Sequence, residues 1–178
     1  HEGEYKVMGL APYGRPLHAD ILRRLIKEHR GTESQLEMRY FDFTAGERMF
    51  SSELETLLGR PARRPESKLE GFWYDGASSI QVVLEEILLE KAFAAFHLAP
   101  APALCMAGGV ALNCVANARI HREGPFERVF VQPASGDAGT ALGAAAFQST
   151  REDREQPIEP MLHAYLGPSF ESWQIETL

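Results

Sequence analysis

Two turns in this sequence set small residues beside side chains able to hold a ligand. The first, Ala107-Gly-Gly-Val-Ala-Leu-Asn113, follows an apolar run and leads into a helical pattern. Gly108 and Gly109 let a flat ring or a phosphate approach the backbone, because no Cβ stands in the way. Asn113 offers both a donor and an acceptor to a sugar or an amide. The plainer explanation is a tight turn with Asn113 capping the next helix, and the turn alone leaves both open. The second, Pro133-Ala-Ser-Gly-Asp-Ala-Gly-Thr140, puts Asp137 where another helix begins. That carboxylate suits a hard or borderline divalent cation. It also suits an N-cap, which is the commoner role for an aspartate so placed. Gly136, Gly139 and Gly143 keep the start of that helix slim.

Other metal-binding and nucleophilic candidates are weaker. His1, His18, His29, His97, His121 and His163 are scattered, and no two share a short ligand spacing. A complete metal site is therefore not legible. Cys105 and Cys114 form no CxxC pair and have no histidine at a zinc spacing. Cys105 lies in an apolar run, so a packed, reduced thiol is expected, and a reducing cytoplasm fits it.

The elements that must position these turns follow from periodicity and punctuation. Residues 3–14 read as a short turn or helix ending in a loop. Residues 17–29 carry Leu17, Ile21, Leu22, Leu25 and Ile26 at helical spacing, with Gly31 as the stop. Residues 36–43 read as a short strand, and residues 46–68 as an arginine- and proline-rich stretch, most loop-like from Arg60 to Pro65. Residues 71–98 predict the longest helix, with an apolar stripe through Ile80, Val83, Leu84, Ile87, Leu88 and Ala95. Pro100 and Pro102 close it. Strand 103–107, the Gly-Gly turn, helix 111–121, strand 128–132, the Asp137 turn and helix 138–147 come next. That order marks a layered α/β domain whose ligands gather at the carboxyl ends of its strands.

Size and charge narrow the function. A chain of 178 residues can bury one core, and 44% hydrophobic with 24% charged residues is ordinary for a globular protein. A net charge of −7 disfavours general nucleic-acid binding, and no apolar run is long enough to span a membrane. The sequence opens at His1 and closes in what reads as a starting helix from Phe170. It is therefore expected to be a piece of a longer protein. Residues 1–149 would form part of one domain, and 150–178 a linker and the start of a C-terminal domain.

Three ordered blocks carry a resemblance. Glu4-Tyr-Lys-Val-Met-Gly-Leu-Ala-Pro-Tyr-Gly14, Ala107 to Asn117, and Val131 to Ala145 resemble the signature blocks of the NodU/CmcH carbamoyltransferases. Asp75-Gly-Ala-Ser-Ser-Ile-Gln81 resembles the start of that family's long helix, and His163-Ala-Tyr-Leu-Gly-Pro168 its exit into the C-terminal domain. The resemblance implies a ribonuclease H-like lobe of the actin and sugar-kinase superfamily, an α/β fold with a mixed sheet flanked by helices. It implies an O-carbamoyltransferase, in which carbamoyl phosphate and ATP yield carbamoyl-adenylate and a small-molecule hydroxyl accepts the carbamoyl group. It further implies a divalent metal, usually iron(II), held by two histidines upstream of this chain and by an aspartate matching Asp137. Gly108 and Gly109 match an adenosine-contacting glycine pair, and Asn113 an asparagine near the adenylate. By motif position, Glu4 and Gly14 are candidates for the ribose and Lys6 for phosphate charge. No catalytic residue is assigned. Rival expectations are a threonylcarbamoyl-tRNA or hydrogenase-maturation relative, and a nucleotide-binding module without catalysis.

Overall fold

The computed structural model describes residues 3–44, 46–152, 161, 165 and 167–176. The chain divides into two units. One comprises His1–Cys105 with Asn113–Phe130, the other Met106–Leu112 with Val131–Leu178. The architecture mixes helices with two small sheets, each of two strands among the described residues.

The first unit is organised by α4 (Gly71–Leu98), 28 residues long, whose span matches the sequence expectation. Leucine, glutamate, alanine and lysine favour helix through its second half. It stops at Ala99, whose N–H closes on Ala95 O at 2.9 Å just before Pro100. The buried residues of α4 are Ala77, Ser79, Gln81, Val83 and Ala92. Burial is thus spread around the helix, and Ile80 of the expected stripe is exposed. Neighbours packed on several sides account for this: α1 (Glu4–Leu10), the 3-10 turn Ala11–Tyr13, α2 (Ala19–Arg23) and α5 (Cys114–Glu123) all contact α4. Ala19, Leu22 and Val83 form a core cluster, with Leu25, Leu58 and Ile87 packed against it. On the other side Ile120 of α5 is fully buried, and Phe126 meets Phe96 edge-on at 5.5 Å.

Three local expectations are corrected. The helix expected over 17–29 ends at Arg23. The chain then forms β1 (Ile26–Arg30), antiparallel to β2 (Glu33–Leu36), with a bulge between Ile26 and Glu28. Gly31 has φ +58° and makes the hairpin turn rather than a helix stop. The strand expected over 36–43 is only the end of β2 followed by a 3-10 turn, Met38–Tyr40, that buries Tyr40. Phe41 makes a lone bridge to Phe50. Third, the arginine- and proline-rich stretch contains α3 (Ser52–Leu58). Ser51 caps it by accepting from Glu53 N at 3.2 Å, and Gly59 at φ +69° ends it.

Glu55 ties α3 to the irregular segment after it. Its carboxylate accepts from Ala62 N and from the Arg48 guanidinium, each at 2.9 Å. The Ala62 amide, and next the Arg48 side chain, hold Glu55 below its ordinary carboxylate value. A carboxyl depressed in the folded state stabilises above its unfolded value and loses that contribution as acid protonates it. Lowering the pH from about 6 to about 3 is therefore expected to speed amide exchange at Ala62, corrected for the intrinsic rate. Glu55→Gln should flatten this dependence, and an unchanged profile would contradict the assigned tie.

β3 (Ala103–Met106) pairs with β4 (Arg128–Val131), and Pro102 O accepts from Glu127 N and Arg128 N. The buried thiol expected at Cys105 is a second kind of correction. Cys105 and Cys114 are both free and exposed. A two-stranded pair has too little sheet around it to enclose that position. In the second unit, α6 (Gly139–Glu152) runs five residues past the expected Phe147, and α7 (Ser172–Glu176) lies within the expected terminal helix. His163, from the expected exit motif, and His1 fall outside the described residues. No helix among the described residues is long and apolar enough to cross a membrane.

Candidate functional site

The Gly-Gly turn and the Asp137 turn meet directly within the second unit. Gly108 N donates to Ser135 O at 2.7 Å, and Ala111 N returns to Gly108 O at 3.0 Å. Gly108 has φ +97°, where an L side chain is strained, so the turn itself requires glycine there. Gly109 is different. Its φ is not in the left-handed region, and a Cβ built on it would meet nothing within 4 Å. The described chain gives no reason for a glycine at 109.

The Asp137 turn is closed by its own backbone. Gly139 N donates to Gly136 O, Thr140 N to Asp137 O at 3.1 Å, and Thr140 Oγ1 to the same carbonyl at 2.6 Å. A Cβ on Gly139 would lie 1.9 Å from Ala134 O, so this glycine is dictated by the turn. The Asp137 side chain is exposed, and no hydrogen bond to its carboxylate occurs among the described residues. The capping bond that would explain this aspartate structurally is therefore not formed there. Ser135, which sequence reasoning passed over, is buried, and its hydroxyl has no hydrogen-bond partner among the described residues. A buried hydroxyl of this kind needs a partner, such as a ligand or an ordered water. Serine in a glycine-rich turn is too common for its sequence alone to have flagged it.

In the first unit Asn113 does cap α5, accepting from Ala116 N at 3.0 Å. It is also paired reciprocally with Gln81 of α4. Gln81 Nε2 donates to Asn113 Oδ1 at 3.1 Å, and Asn113 Nδ2 donates to Gln81 Oε1 at 2.9 Å. Glu4 and Lys6 are exposed on α1, and the Lys6 ammonium sits 5.8 Å from the Tyr5 ring centroid. Gly14 is extended, and its glycine has a packing cause: a Cβ there would lie 2.0 Å from Tyr74 O of α4. The same contact aligns Arg15 N on Asp75 Oδ1 at 2.8 Å and His18 N on Ser79 Oγ at 3.0 Å.

No group of three or more His, Cys, Asp or Glu side chains is placed to hold a metal among the described residues. Asp137 alone contributes one open carboxylate. The first unit also has an apolar groove of about 230 Å³, lined by residues including Leu10, His18, Leu22, Phe72, Trp73 and Ile80. None of the sequence-derived site residues lines it. With so few polar groups it is poorly suited to a nucleotide, and the two turns are the better candidates.

Comparison with known proteins gives the class. Residues 1–146 match the family described as carbamoyltransferase N-terminus, and the chain belongs to that family. Among particular relatives, it is 44% identical to an uncharacterized protein of Synechocystis sp., over 99% of this chain and 30% of that protein. It is 34% identical to nodulation protein NolNO of Sinorhizobium fredii, over 95% of this chain and 23% of that protein. Nodulation protein NolO of Bradyrhizobium diazoefficiens is also 34% identical, over 98% of this chain and 30% of that protein. The chain thus spans less than a third of the length of these relatives.

Proposed function

We propose that this chain is part of an O-carbamoyltransferase, and that its two joined turns hold carbamoyl-adenylate and a metal-ligating carboxylate. The main support, beside family membership, is the 2.7 Å bond joining the Gly108 turn to the Ser135–Asp137 loop. It puts a backbone that a flat ligand can approach next to an exposed, unbonded carboxylate. Gly109, for which packing supplies no reason, is read as the point of closest approach of the nucleotide. The lobe carrying these turns is taken to be ribonuclease H-like, with further strands supplied by the rest of the protein.

In the transfer step the acceptor hydroxyl oxygen attacks the carbamoyl carbon. The bond from that carbon to the adenylate phosphate oxygen breaks, AMP departs, and the hydroxyl proton passes to solvent or a base. Gly108 and Gly109 would admit the nucleotide in the second unit; Asn113, in the first, is by motif position a separate candidate for donating to it. Asp137 would give one ligand to a divalent metal, such as iron(II), whose two histidine ligands lie outside this chain. A bound metal supplies Lewis-acid stabilisation of the negative charge that develops on the carbamoyl oxygen. Holding hydroxyl and mixed anhydride in line accounts for much of the remaining rate. Two free, exposed thiols suit a reducing, cytoplasmic setting.

The direct test supplies the full-length protein with ATP, carbamoyl phosphate and a hydroxyl acceptor. AMP release that requires both co-substrates is expected. AMP release indifferent to carbamoyl phosphate would refute the assignment.

A further inference from the structure

The side-chain amide of Asn113 has almost no freedom left. Its Oδ1 accepts from both Gln81 Nε2 and Ala116 N, and one N–H of Nδ2 goes to Gln81 Oε1. A carbonyl oxygen has two lone pairs and the amide nitrogen two N–H groups. One N–H therefore remains, pointing in a direction fixed by the other three bonds. Gln81 is itself committed. It is buried on α4, and its second N–H donates to Glu85 Oε1 at 2.8 Å. Glu85 is in turn 3.6 Å from Arg119, which donates to Glu123 at 3.0 Å. Hydrogen bonding to Glu123, with Glu85 and Glu86 adding to it, raises the Arg119 guanidinium above its ordinary value against the opposing effect of burial. The run from Arg119 through Glu85 and Gln81 to Asn113 joins α5 to α4 and ends on the amide at the head of α5.

We infer that Gln81 is a positioning residue for nucleotide binding: held by Glu85, it sets the Asn113 amide directly, so that Asn113 presents one N–H donor and no acceptor. This rests on the reading above that Asn113 contacts the nucleotide. The ligand atom facing Asn113 must then be an acceptor, such as a ribose or phosphate oxygen or a ring nitrogen. Gln81 has no N–H left for a ligand, so its effect passes through Asn113.

A double-mutant cycle tests this in the full-length protein, with ATP affinity measured by calorimetry and stability by thermal unfolding. Gln81→Met keeps length and bulk but makes no hydrogen bond. Asn113→Ser keeps a capping oxygen and removes the amide N–H groups. Each is expected to weaken ATP binding about 10-fold, and the pair also about 10-fold rather than about 100-fold, because both act on one contact. The affinity loss should persist at temperatures where both variants are fully folded. Should Gln81→Met fail to fold, Glu85→Gln keeps an acceptor but weakens the charge-assisted bond that holds Gln81, and about a 3-fold loss is expected. Wild-type affinity in Gln81→Met, or losses that multiply in the double variant, would overturn the positioning role while leaving Asn113 a contact. Wild-type affinity in Asn113→Ser would instead overturn the nucleotide contact and this inference with it.

Discussion

On the proposed metal-ligand role, Asp137→Ala in the full-length protein should lose the metal and cut turnover by about 10²–10³-fold, with little change in folding. The fold is spared because the turn does not depend on that side chain. Thr140 bonds the Asp137 carbonyl through both its N–H and its hydroxyl, and Gly139 fits where a Cβ would strike Ala134 O. All of these survive truncation to alanine. The carboxylate is exposed and free of hydrogen bonds among the described residues, so removing it leaves no buried group unpaired. Elemental analysis beside thermal unfolding checks the outcome. Metal content equal to wild type would show that Asp137 is not a ligand.

Gly14→Ala should be the more damaging change to stability, by at least about 2 kcal/mol. The new Cβ would sit 2.0 Å from Tyr74 O and 2.6 Å from Asp75 N, both backbone atoms inside α4. Helix backbone cannot yield as the tip of a side chain can, so the segment around Gly14 must lift away. The bonds from Arg15 N to Asp75 and from His18 N to Ser79 would go with it. Urea unfolding followed by circular dichroism measures the loss. ATP affinity separates packing from the ribose role suggested by motif position. A variant of wild-type stability that binds ATP poorly would point to the ligand, and a destabilised one whose folded fraction binds normally would point to α4.

The sequence made some elements plain and hid others for physical reasons. Residues 71–98 are legible as helix because good helix formers fill the second half, from Leu84 onward, until Ala99-Pro100 stops it. The succession from β3 to α6 is legible because glycine-rich turns separate short apolar runs. The β1–β2 hairpin was hidden because Leu17, Ile21 and Leu25 imitate a helical period, and Gly31 serves a helix end and a hairpin turn equally well. Arginine and proline drew attention from Ser51 and Gly59, which cap α3. The sequence placed Gly108, Gly109, Asn113 and Asp137 on turns, but not the bond that joins the two glycine-rich turns. The Gln81–Asn113 pair was out of reach, since it links positions 32 apart through the packing of α4 on α5.

The β3–β4 pair bears on how the protein must be handled. Among the described residues the pair has two strands, each with one side not used by its neighbour, while Phe130 is half-exposed and Cys105 open. Such a ribbon is a template for adding strands, whether from its own polypeptide or from a stranger. Purification in the presence of a reductant therefore suits this stretch, since Cys105 is exposed and free to oxidise.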